Sequence, residues 1–136
     1  MVFVGRLNEE QRRSFMALAT RMALADAQVK PEEVLILEDF TSVFGADIKI
    51  PPNEIYGPTN VDAFDTAQSR KIALLGMLVV AYSDSHFHVD ESTVLTDTAA
   101  SFGLDGPELH KMKTWAQRAA TLFNDFHSMT DLVDDA

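Results

Sequence analysis

The feature that most constrains this chain is a stretch that occurs twice. Setting Asp26 on Asp84, an offset of 58 residues with no gap, also superposes Ala23 on Ala81, Glu33 on Glu91, Leu37 on Leu95, Asp39 on Asp97, Phe44-Gly45 on Phe102-Gly103 and Asp47 on Asp105. So many identities within about 25 positions mark one supersecondary unit present in two copies. Each copy passes from an apolar-periodic segment through an acidic loop, Asp26 to Glu33 (DAQVKPEE) or Asp84 to Glu91 (DSHFHVDE), into a second periodic segment stopped by glycine. Neither helix-loop-helix hairpin can bury its apolar stripe alone, so the expected arrangement is a pseudo-two-fold bundle with the copies packed face to face.

Local signals place the helices. Asn8 with Gln11 three positions on opens the first, which continues through Phe15, Leu18, Ala19, Met22 and Ala23 to end near Asp26. Pro31 suits the first position of a second helix carrying Val34, Leu35, Leu37 and Phe40 as far as Gly45. Residues 46–60 hold three of the five prolines and predict a connector. A third helix starts at about Val61 and is apolar nearly all round after Ile72, the pattern of a core helix. Val94, Leu95, Thr98 and Phe102 form a fourth. Asp105 with Glu108 caps a fifth through Leu109, Met112, Trp115, Ala116, Ala119 and Phe123, and Ser128 opens a last short turn. No segment alternates as a strand does. The expected fold is therefore all-α: a single domain over residues 1–136, built of two duplicated hairpins (about 15–47 and 73–105) plus a C-terminal helix.

Composition removes several function classes. Eleven Lys and Arg against 21 Asp and Glu give a net charge of −10, which repels phosphate backbones and argues against nucleic acid. The longest apolar run, Ile72 to Tyr82, is shorter than the roughly 20 residues a bilayer needs, and no signal-like start is present, so a cytoplasmic protein without membrane insertion is expected. The absence of cysteine excludes disulfides and thiol chemistry within this chain. His110 and His127 are isolated, no Ser sits in a nucleophile elbow, and no Glu-x-x-His spacing of a di-iron bundle occurs, so catalysis is not expected. Phe15, Met16, Met22, Met77, Met112 and Trp115 fall at helical spacing and read as core, while Lys111, Lys113 and Arg118 read as a solvated face.

An alanine-rich helix ending in Asp, a short loop, and Glu in the first turn of a helix that ends Phe-Gly resembles the TerB family of tellurite-resistance and stress-response proteins. The resemblance spans about residues 15–122, with Ala27 and Ser85 where the family has Gly. It implies an all-helical, non-enzymatic fold, an acidic surface for divalent cations, and action alongside other tellurite-resistance and stress proteins.

The loops themselves support two readings. As a metal site, Asp26, Glu33, Asp84 and Glu91 would offer carboxylate oxygens to calcium or magnesium, although the alternating ligands and central Gly of an EF-hand are missing. The second loop adds His86, His88 and Asp90, a donor set suited to zinc. As structural clamps, Glu33 and Glu91, near the third position of their helices, bond back to the loop backbone, each worth about 1 kcal/mol. An acidic module that docks a protein partner fits the second reading. Oligomeric state is left open by the sequence.

Overall fold

The computed structural model describes residues 1–25, 30–45, 50–58, 60–83 and 89–130, with the backbone alone at 89–91. Among these residues there are six α-helices and no strand. They are α1 (Glu9–Ala23), α2 (Pro31–Phe44), the short α3 (Pro52–Tyr56), α4 (Ala67–Tyr82), α5 (Val89–Phe102) and α6 (Gly106–Met129). The starts of α1 and α4, and both ends of α2 and α5, differ by the same 58 residues.

The helix boundaries follow from capping. At α1 the Gln11 N–H donates to Asn8 Oδ1 and the Asn8 N–H to Gln11 Oε1, both at 2.9 Å, a reciprocal box that satisfies two otherwise orphan donors. Fifty-eight residues on, Thr66 and Ser69 form the same box at 3.0 and 3.2 Å. Arg12 and Arg70, one position further along, each turn Nε back onto a carbonyl ahead of their helix, Leu7 and Phe64 respectively, at 2.8 Å. α2 and α5 stop at Gly45 (φ 71°) and Gly103 (φ 73°), the left-handed conformation that costs glycine nothing.

α1 and α4 form the centre. Gln11 Nε2 donates to Asp65 Oδ1 at 3.2 Å, so the two helices begin at one end of the bundle. Further along, the Phe15 ring lies against the backbone of Gly76. α2 packs on both α1 and α4, α5 packs on both as well, and α6 lies along α4. Phe15, Phe40, Phe64, Met22, Ile36, Leu74, Met77, Leu78 and Leu95 are fully buried, each contributing about 1.5–3 kcal/mol of hydrophobic stabilisation. Edge-on ring contacts tie the elements: Phe15 to Phe40 at 5.1 Å and Phe64 to Phe102 at 5.3 Å.

The structure departs from sequence expectation at six places. Val2–Arg6 forms a 3-10 turn, and the connector contains α3. The core helix starts at Ala67 rather than Val61, because Phe64 turns inward and lends its carbonyl to Arg70. On α2, Ile36 and Phe40 are buried while Val34 is 40% exposed and Leu37 only half-buried, so the buried stripe is shifted from the one read off the sequence. α6 runs unbroken through Ser128 to Met129. Trp115, expected in the core, is 43% exposed. Among the described residues no helix is long and apolar enough to cross a membrane.

Candidate functional site

Of the four carboxylates that the sequence singles out, the side chain of Glu33 alone lies within the described residues. Asp26 and Asp84, with His86 and His88, lie outside them, and Glu91 and Asp90 are described only as backbone in the first turn of α5. Pro31 pre-sets the first turn of α2, which places Glu33 at its third position, 2% exposed. There Glu33 Oε1 accepts the Lys30 N–H at 2.9 Å, while Lys30 O accepts the Glu33 N–H at 3.0 Å. The carboxylate thus sits at the positive end of α2 and ties the residue just before the helix to its first turn.

The C-terminal end of α4, which leads into the second acidic stretch, is fixed by α6. Ser83, fully buried, donates its hydroxyl to Val80 O at 2.7 Å. Its own carbonyl accepts the Asn124 amide of α6 at 2.6 Å. Beside this bond Tyr82, Gln117, Thr121, Asn124 and Asp125 line a cleft of about 290 Å³, rich in oxygen and carrying one carboxylate. Burial pushes the Tyr82 phenol above its ordinary pKa. One turn beyond Asn124, His127 stacks on Phe123 at 4.3 Å between ring centres; it is 8% exposed and its Nδ1 has no hydrogen-bond partner among the described residues.

A second cleft, of about 300 Å³, lies where α3 crosses α1. Arg13 forks onto both oxygens of Glu54 at 3.2 and 3.0 Å, and those hydrogen bonds hold its pKa up. Arg21 donates to the carbonyls of Ile55, Glu54 and Gly57, and desolvation there lowers its pKa. Both guanidinium groups are engaged in holding α3, and among the described residues the cleft supplies no nucleophile paired with a base. Neither the Arg21 clamp nor the Asn124 tie is visible in the sequence, because each acts on backbone carbonyls.

No protein-family model matches this chain, and no curated protein or solved structure does. Among the described residues no group of three His, Asp or Glu side chains converges as a metal cage would. Within the described residues, hydrogen bonds fix the exit of α4 and the entry of α2.

Proposed function

We propose that this chain is a TerB-like stress-response protein, a duplicated pair of helical hairpins that does no covalent chemistry and acts by binding. Its duplicated acidic loops, through Asp26, Glu33, Asp84 and Glu91, take up a divalent cation such as calcium, magnesium or zinc, and its partners are other tellurite-resistance and stress proteins in the cytoplasm. The observation that carries this reading is the register of the helices: α1 and α4 start 58 residues apart, α2 and α5 match at both ends, and the Asp-to-Glu loops fall at equivalent joints. Thiol-based tellurite reduction is disfavoured because there is no cysteine.

A second reading is favoured by one specific contact. The bond from the Lys30 N–H to Glu33 gives that carboxylate a structural task, and an interaction module whose acidic pairs are loop clamps follows from it. Calorimetric titration with calcium, magnesium, manganese and zinc, paired with melting curves, separates the two. Cation binding raises the melting temperature through linkage and survives moderate salt, and Asp26→Asn with Asp84→Asn removes it. Absence of heat and of any stabilisation at millimolar cation overturns the cation reading and leaves the clamp.

A further inference from the structure

α6 carries more apolar surface than its packing on α4 uses. Met112, Ala116 and Ala120 turn into the core with His127. A second set, Trp115, Ala119, Leu122, Phe126 and Met129, is spaced by 4, 3, 4 and 3 residues, the alternation of a two-helix seam. Trp115 is 43% exposed, Leu122 69%, Phe126 52% and Met129 78%. Together they leave on the order of 500 Å² of apolar surface in water, near the upper end of what a monomer carries in one patch.

Charge identifies what covers it. Lys111, Arg118 and Asp125 are all exposed and seven residues apart, so they line one flank of the stripe. The other flank is turned into the bundle. When two such helices pair antiparallel about Leu122, like flanks meet, and Arg118 of each copy faces Asp125 of the other. A parallel pair would set this flank against the partner's buried one and leave both charges unmatched. Beside the stripe Thr114, Gln117, Arg118, Thr121 and Leu122 line an open groove of about 400 Å³, which can seat the opposing side chains. A net charge of −10 makes a second copy a poor partner over most of the surface, but here two basic residues stand against one acidic one.

We infer that α6 is the seam of a homodimer, two copies packed antiparallel through Leu122, Phe126 and Met129 with Arg118–Asp125 pairs closing one edge. Two patches of this size bury about 1,000 Å², the lower limit for a specific interface, so the dimer is a weak one that exchanges with monomer.

Sedimentation of the full chain, from low micromolar to near-millimolar concentration, reads the equilibrium directly. Trp115 is the sole tryptophan, and the pairing sets it against Met129 of the second copy, so its emission shifts to the blue as the dimer fills. Leu122→Arg, at an exposed position, weakens association at least about tenfold while the circular dichroism and melting temperature of the monomer hold. Arg118→Asp weakens it as well, and Arg118→Asp combined with Asp125→Arg restores it, the outcome that an antiparallel register demands. A chain that stays monomeric throughout, a dimer indifferent to Leu122→Arg, or a charge swap that fails to restore association each overturns the inference. So does a monomer whose stripe binds anionic vesicles instead.

Discussion

Replacing Gly76 by alanine tests the centre of the fold more sharply than any truncation. In an exposed helix interior this change stabilises by about 1 kcal/mol through helix propensity. Here the added Cβ would stand 2.4 Å from Cζ and 2.5 Å from Cε1 of Phe15, where ordinary contact begins at 3.4 Å, so the ring must withdraw by about 1 Å. It has nowhere to go: Phe15 is fully buried, with Phe40 edge-on at 5.1 Å and Phe44 at 6.2 Å. Overpacking of this severity lies at the upper end of the usual range, about 3 kcal/mol, and leaves a net loss of about 2 kcal/mol after the propensity gain. For a chain of this size that is a fall of roughly 7 °C in melting temperature. Urea unfolding followed by circular dichroism measures it. Gly106→Ala, whose Cβ meets nothing within 4 Å, is the control and is neutral or slightly stabilising. Phe15→Leu in the Gly76→Ala background recovers at least about 1 kcal/mol beyond additivity. A Gly76→Ala protein as stable as the parent, or a strictly additive double variant, refutes the packing argument.

Glu33→Ala removes the acceptor of the Lys30 N–H and lowers stability by about 1–2 kcal/mol in metal-free buffer, whereas Glu33→Gln, which keeps an oxygen in place, costs less; chemical denaturation of both distinguishes clamp from ligand. Gly103→Ala forces a left-handed alanine and costs about 1 kcal/mol, while Gly103→Asn costs less, again by denaturation. Burial raises the folded pKa of Tyr82 above its unfolded value. Its contribution to stability is therefore full below about pH 10 and is lost as pH rises through the raised folded value, so Tyr82→Phe flattens the alkaline limb of a melting-temperature profile.

What the sequence made legible was local. Asn8 with Gln11, Asp105, and the glycines at 45 and 103 each act within one turn of their own helix, so their roles are written in the residues beside them. The all-helical class follows from the same signals. The apolar period runs ahead of α4 because Val61, Ala63 and Phe64 continue it without continuing the helix, and the decisive bond, Arg70 to Phe64 O, joins a side chain to a carbonyl six residues back. Trp115 lies off the core for a different reason: α6 bears two apolar stripes, and periodicity does not say which of them meets α4. In the candidate site the anchoring of Glu33 was readable from its third-position register. The Asn124 tie to Ser83 was not, since it links residues 41 apart through a carbonyl that any amino acid would provide.

Arg21 carries the same asymmetry to its limit. Its guanidinium grips α3 and the turn after it through three main-chain oxygens, at Glu54, Ile55 and Gly57, and so it recognises a path of the chain instead of a set of letters. Substitutions along that segment are silent to the grip provided the path survives, whereas any exchange at Arg21 itself, lysine included, loses the fork that spans the three oxygens. In a saturation scan Arg21 would therefore look intolerant and Ile55 permissive across the same contact, whereas Glu54, held by Arg13, and Gly57, where an added Cβ would run into the Asn53 carbonyl, are constrained for reasons of their own. At Ile55, whose part in the grip is its carbonyl alone, the side chain can drift while the segment stays held to α1.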